Sequence, residues 1–295
     1  MGQLQAAQSL GQQELEDIIA ATLVEARRSG VDQAEVAVSH DIGLAATVRL
    51  GDVENLEYTN DRGIGITVYC GSRKGSASTS DISRDAIREA VGKACTFANY
   101  TAEDKYAGLA DADRMCTEVP DLDLDHPWNL DATAAIELAL ACEASALGHD
   151  KRISNSEGAT AWTNRGVRAY GNTHGFVGSY AKTSHSLSCA VLGVADGDME
   201  RDYYYSSARD PADLETAENI GVKAATRALQ RLGARKIKTT RAPVLFTPER
   251  ARGVGGQLHV LGAALVPGAD ARAVVVRHDA VGRGVGAHDL DQLHE

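Results

Sequence analysis

Residues 34–80 read AEVAVSHDIGLAATVRLGDVENLEYTNDRGIGITVYCGSRKGSASTS, and their pattern sets the fold class. Strand-like apolar runs, several of them alternating with a period of two, occupy 34–39, 42–50 and 63–70. Such alternation is typical of strands with one buried face. Gly51-Asp52 and Gly71-Ser72 predict turns between these strands. We therefore expect an antiparallel meander here.

Helical patterns flank this meander, and a second meander follows. Apolar residues at helical spacing predict helices over 14–29, 84–99 and 131–147, and a further helix after Pro211. Residues 151–208 predict more antiparallel strands, with turns at 163–166 and 196–197, and 242–246 predicts a last short strand. Segregated helices and antiparallel strands predict an α+β fold, with helices packed on antiparallel β-meanders, rather than a doubly wound parallel sheet.

Composition restricts the class of protein. The chain has 295 residues, of which 43% are hydrophobic and 24% charged, and its formal net charge is −11. These values are ordinary for a globular protein, and the acidic balance argues against nucleic acid or an anionic membrane as a partner. No apolar run is long enough to span a membrane, residues 1–10 lack the features of a secretory signal, and the five cysteines form no CxxC pair. We expect a cytoplasmic protein with free thiols.

The last part of the chain differs in composition from the rest. Residues 253–295 use ten residue types and contain four of the nine histidines. We therefore divide the chain into an α+β region at 1–252 and an atypical tail at 253–295. A frameshifted or misread tail is our first interpretation, and a genuine flexible appendage is the alternative.

Known catalytic and metal-binding motifs are missing from the sequence. It contains no HExxH or HExxxH zinc motif, no GxSxG nucleophile elbow and no GxxxxGK[ST] phosphate loop. Asp121, Asp123 and Asp125 alternate in a loop but lack the glycine and distal glutamate of an EF-hand. We predict no catalytic residue and no metal ligand in this chain.

Two polar clusters stand out from this background. The first, at 171–186, contains Asn172 and has His174 close to glycines, while the second, at 197–206, places Glu200 and Arg201 before three tyrosines. Alternation predicts Tyr203 and Tyr205 on one face of a strand and Tyr204 on the other. Packing at turns and sheet edges is the alternative explanation for both clusters.

Four segments carry a resemblance to a known family. They are GDVENLEYTNDRGIGITVYCGSRKGSASTSDIS (51–83), DKRISNSEGATAW (150–162), GNTHGFVGSYAKTSHSLSCAV (171–191) and GDMERDYYYSSARDPADLE (197–215). Together they resemble the N-terminal half of the TldD/PmbA family, known as modulators of DNA gyrase, and in particular its PmbA (TldE) branch. The resemblance covers about residues 12–252.

The resemblance implies membership of a cytosolic bacterial metalloprotease complex. In that family the TldD-like subunit carries a HExxxH zinc motif, and the PmbA-like subunit pairs with it and lacks a metal site. The heterodimer encloses a chamber for unfolded peptides. The resemblance therefore predicts no cofactor in this chain, zinc on a TldD-like partner, and a peptide channel to which we assign Asn172, His174, Glu200 and Arg201.

The same resemblance also leaves alternatives open. Members of the family continue into a further β-rich domain, and here the resemblance stops near residue 252. The chain could instead be a non-enzymatic binding module for a gyrase-associated factor, or a truncated product without function.

Overall fold

The computed structural model describes residues 10–236, together with 238, 239 and 251. The helices are α1 (Gln12–Arg28), α2 (Arg84–Tyr100), α3 (Ala132–Leu147) and α4 (Ala217–Arg231). The strands are β1 (Gln33–Arg49), β2 (Asp52–Cys70), β3 (Arg73–Thr79), β4 (Ile153–Asn172), β5 (Val177–Ala195) and β6 (Asp198–Ala208). Short 3-10 helices lie at Ala112–Arg114 and Pro211–Asp213.

Some predictions concern residues beyond this description. The strand expected at 242–246 and the tail at 253–295 lie outside the described residues. The helices and strands named above all lie in one compact unit, which ends at Ala234. The domain boundary at residue 252 stays a prediction. Within the described part, none of the helices is long and apolar enough to cross a membrane.

The strands form one six-stranded sheet in the order β3-β2-β1-β4-β5-β6. Every neighbouring pair is antiparallel, and the pairing of β1 with β4 joins the two predicted meanders into a single sheet. The predicted α+β class is confirmed. The chain contains the same unit twice, a helix followed by three strands and a second helix. The strands β1 and β4, one from each unit, lie at the centre of the sheet.

All four helices pack on the same face of the sheet. Along β1, the side chains of Val36, Val38, Leu44 and Val48 are buried towards the helices. The first two belong to a core with α1 and α2, and the last two to a core with α3 and α4. We call the opposite surface the open face. Its β1 residues are Glu35, Ala37, Ser39, Asp41, Gly43, Ala45 and Thr47, with their register partners on the other strands.

The long strands correct two of the sequence predictions. The runs predicted separately at 34–39 and 42–50 form one strand, and the imidazole of His40 between them is buried with both ring nitrogens hydrogen-bonded. Its Nδ1 accepts the backbone N–H of Leu10 at 2.9 Å, and its Nε2 lies 2.7 Å from Asn60 Oδ1. The turn expected at 163–166 is also wrong, since β4 continues to Asn172 and turns only afterwards.

Side-chain contacts explain why β4 continues through that polar stretch. Arg165 donates two hydrogen bonds to the carboxylate of Asp125, at 2.8 and 2.6 Å. Thr163 Oγ1 lies 2.8 Å from the ring of His185 on β5.

The helix expected directly after Pro211 begins at Ala217 instead. The hydroxyl of Thr216 accepts the backbone N–H of Asn219 at 3.2 Å and so caps the helix at this point.

Candidate functional site: a groove on the open face

The open face holds a groove of about 900 Å³ between β3 and β5. Its floor consists of small residues, because Ala37, Gly65 and Ser78 are opposite one another on three adjacent strands. The side chains of Tyr170 and Tyr180 contribute to its wall. A concave surface of this size and mixed polarity suits a ligand such as an extended peptide.

A smaller recess of about 430 Å³ adjoins this groove and shares part of its lining. It is lined by Glu35, Ala37, Gly65, Ile66, Thr67, Ser76, Ala77, Ser78 and Tyr170. Thr67 Oγ1 and Ser76 Oγ lie 3.0 Å apart across neighbouring strands. We call this space the Glu35 recess.

Two tyrosines hold the Glu35 carboxylate from neighbouring strands. The Tyr69 hydroxyl on β2 donates to Oε1 at 2.8 Å, and the Tyr170 hydroxyl on β4 donates to Oε2 at 2.9 Å. Burial and, after it, the hydrogen bond to Glu35 together raise the pKa of Tyr69 to about 12. Burial also raises the pKa of Tyr170. Both phenols therefore stay protonated at neutral pH and keep donating to the carboxylate.

An ion pair lies on the open face beside Tyr170, two residues away along β4. Arg168 Nη2 lies 2.7 Å and 2.9 Å from the two carboxylate oxygens of Asp41. Gly166 makes room for it, since a Cβ there would lie 2.4 Å from Asp41 Oδ1. The groove region thus has a carboxylate at one end and a neutralised ion pair at the other.

The first pair of predicted channel residues lies near this groove, at the end of β4. Asn172 is buried, its Oδ1 accepts the backbone N–H of His174 at 3.0 Å, and its Nδ2 lies 3.4 Å from Met115 Sδ. His174 is exposed in the turn, with Nε2 3.4 Å from the Gln33 side-chain amide. Asn172 therefore shapes the turn beside Tyr170, and His174 lies at the rim of the sheet.

The second pair lies far away, on β6. Glu200 faces α4 and pairs with Arg231 at 3.0 Å, whereas Arg201 pairs with Glu157 at 2.5 Å. On the intervening strand β5, Gly193 lies opposite Glu200, and Val177 lies opposite Gly171 near the end of β4. Gly193 and Val177 are sixteen residues apart. At about 3.3 Å per residue, this is a separation of about 50 Å along the strand. The structure does not bring the four predicted residues together.

The predicted orientation of the three tyrosines on β6 is confirmed. Tyr203 and Tyr205 stack with their ring centroids 6.3 Å apart, and the Tyr204 hydroxyl donates to Glu215 at 2.7 Å on the helix side.

The sequence did not reveal Glu35, Tyr69 and Tyr170 as candidate site residues. Strand alternation places each of them on the polar face, but their contact depends on the pairing of β1 with β4.

The described residues do not fit a zinc site. They contain no group of three or more His, Cys, Asp and Glu side chains placed to hold a metal ion. His126 illustrates the misfit, because its Nε2 lies 3.0 Å from the Asp123 carbonyl and its Nδ1 lies 3.7 Å from Asp210. The hydrogen bond to the Asp123 carbonyl raises the pKa of His126, so a proton competes more strongly with a metal ion for the ring.

Comparison with known proteins agrees with this fold. Residues 34–98 match the family model described as PmbA/TldA metallopeptidase domain 1, and residues 125–232 match the central domain of the same metallopeptidases. Metalloprotease PmbA of Escherichia coli O157:H7 is 46% identical over 242 residues, which cover 82% of this chain and 53% of the relative. The Haemophilus influenzae homologue is 42% identical, over 82% of this chain and 54% of its own length.

Solved structures show the same architecture. A candidate modulator of DNA gyrase from Bacteroides thetaiotaomicron superposes with a TM-score of 0.71 at 25% identity, covering 77% of this chain and 52% of that one. TldE from Thermococcus kodakarensis gives a TM-score of 0.59 at 17% identity, over 72% and 47% of the two chains, and this similarity concerns the fold alone. The chain spans about half the length of these two curated relatives. On these matches, the chain belongs to the TldD/PmbA family of metallopeptidases.

Proposed function

We propose that this chain is a subunit of a TldD/PmbA-type zinc metalloprotease complex that processes or degrades unfolded peptides in the cytoplasm. In this proposal the open face forms part of the surface that receives the peptide. The observation that supports this role is the groove above Ala37, Gly65 and Ser78. Their small side chains let an extended peptide backbone approach the sheet closely.

We assign hydrolysis to a TldD-like partner subunit. Peptide hydrolysis by zinc needs a metal-bound water, and the family relatives bear the name metalloprotease. The described residues of this chain offer no fitting set of ligands, so its own role in the proposal is to bind and orient the peptide.

Filling the groove tests this role. Gly65 has open space around the position of a Cβ, so Gly65→Phe should fold and occupy the groove. Gly92, exposed on α2, also has open space, and Gly92→Phe is the matched control on the helix side. Each variant of the 295-residue chain is mixed with the TldD-like subunit, and assembly and cleavage of an unfolded peptide are measured.

We expect Gly65→Phe to assemble but to lower kcat/KM at least about tenfold, a change of about 1.4 kcal/mol. Gly92→Phe should stay close to the unmodified chain. Equal activity of both variants, or undiminished cleavage when this chain is omitted, would contradict the proposal. Capture of a partner protein without any TldD-like subunit would favour the non-enzymatic binding module instead.

A further inference from the structure

We infer that the Glu35 recess is a subsite for a cationic side chain, lysine or arginine, of the peptide in the groove. The inference rests on the proposed function, since it assumes that the open face receives peptides. It adds a chemical preference for one position of the substrate.

The Glu35 carboxylate retains unused hydrogen-bonding capacity. Its two oxygens accept one tyrosine hydroxyl each, at 2.8 and 2.9 Å. A carboxylate has about four acceptor positions, so about two remain for a ligand. Both tyrosines donate, and they fix the carboxylate in place before any ligand arrives.

The charge of Glu35 has no cationic partner among the described residues. The recess lining contains hydroxyl, aliphatic and aromatic groups and no basic side chain. Lys74, opposite Tyr69 on β3, is exposed, and no ion pair joins it to Glu35. Arg168, at the other end of the groove, is neutralised by Asp41.

The surroundings suit a long cationic side chain. The aliphatic part of a lysine or arginine can pack on Ala37 and Gly65, while its charged end reaches Glu35. Tyr170 lies beside the carboxylate and offers an aromatic surface, which also favours cations. Ser76 and Thr67 provide further oxygen acceptors. The recess therefore complements an ammonium or guanidinium group and disfavours a carboxylate.

An NMR titration of the 295-residue chain tests the inference with small probes. The probes are Nα-acetyl-lysine-N-methylamide, the corresponding arginine derivative and the norleucine derivative, which has a similar shape but no charge. We expect the two cationic probes to shift the backbone amides around Glu35 and Thr67, and to bind at least about fivefold more tightly than the norleucine probe.

Three variants show whether Glu35 is responsible. Glu35→Gln should abolish the preference for charge. Glu57→Gln removes an exposed carboxylate of β2 that also lies on the open face, and it should retain the preference. Ser76→Lys should place a tethered ammonium in the recess and block the lysine probe, whereas Ser76→Met should not impair the preference for charge. The Ser76 pair keeps the test decisive if Glu35→Gln fails to fold.

Several outcomes would overturn the inference. They are equal binding of lysine and norleucine probes, a charge preference that survives Glu35→Gln, and no binding of any probe up to its solubility limit. If Gly65→Phe still lowers kcat/KM for cleavage as expected in such a case, the proposed function stands and only the cation subsite fails. If the lysine probe binds at Glu35 but Gly65→Phe cleaves normally, the subsite stands and the proposed function fails.

Discussion

The carboxylate of Glu143 accepts the backbone N–H of Leu50 at 2.9 Å. Its second oxygen accepts the N–H of Gly51, also at 2.9 Å, and the Glu143 side chain is 1% exposed. Leu50 has a positive φ of 51°, an unfavourable conformation for leucine. A helix residue thus fixes the turn that connects β1 and β2.

Removing this carboxylate should destabilise the fold. We expect Glu143→Ala to lower the free energy of unfolding by about 2–3 kcal/mol, because two backbone N–H groups of the turn lose a charged acceptor. Glu137→Ala, at an exposed position of the same helix, should change it by less than about 0.5 kcal/mol. Urea unfolding of both variants checks this. Similar values for the two would show that the Glu143 contact contributes little.

Gly75 of β3 should tolerate no side chain. A Cβ at this position would lie 2.0 Å from Ala94 O and 2.4 Å from Ala98 N, both backbone atoms of α2. We expect Gly75→Ala to cost about 3 kcal/mol or more, or to prevent folding, because strand and helix must separate. Gly65→Ala, with open space around its Cβ, should be neutral or slightly stabilising. Thermal unfolding distinguishes the two, and an unaffected Gly75→Ala would refute the close packing.

Tyr69 should make stability fall at alkaline pH. Burial and the bond to Glu35 raise its pKa from the ordinary 10.0 to about 12 in the folded chain. Because the pKa is higher in the folded chain than in the unfolded chain, protonated Tyr69 contributes to the free energy of unfolding. This contribution is complete below about pH 10 and is lost as the pH rises towards 12. Tyr69→Phe should therefore lose less stability than the unmodified chain over this interval. Alkaline titration by absorbance near 295 nm should show one fewer late-titrating tyrosine in Tyr69→Phe; an unchanged curve would contradict the assignment.

Asn172 and His174 should differ sharply although they are two residues apart. Asn172→Ala removes the buried acceptor of the His174 N–H and should cost about 1–2 kcal/mol. His174→Ala alters an exposed side chain and should cost less than about 0.5 kcal/mol. Chemical denaturation measures both. Equal effects would mean that Asn172 does not hold this turn.

Local signals in the sequence account for the predicted helices. Ser83 and Asp131 cap α2 and α3, where each side chain accepts a backbone N–H of the first turn, at 3.4 and 2.8 Å. Apolar spacing then gives the buried side of each helix. Signals of this kind act over a few residues, so they could be read from the sequence.

The candidate site depends on contacts between distant parts of the chain. Glu35 meets Tyr170 across 135 positions, and their contact follows from the pairing of Ala37 with Tyr170 in β1 and β4. Alternation predicts which face a residue occupies, but the register between distant strands is fixed by the packing of the whole sheet. For this reason the groove was not predictable, and the proposed channel residues fell into two separate groups.

Photocrosslinking tests most directly whether the open face receives peptides. A photoreactive p-benzoylphenylalanine is placed at Ser78, exposed in the groove, or at Glu89, exposed on α2. Each chain is mixed with the TldD-like subunit and an unfolded peptide, and is then irradiated. We predict that the peptide crosslinks to position 78 and not to position 89. Crosslinking at 89 alone, or equally at both positions, would contradict the assignment of the open face to peptide binding.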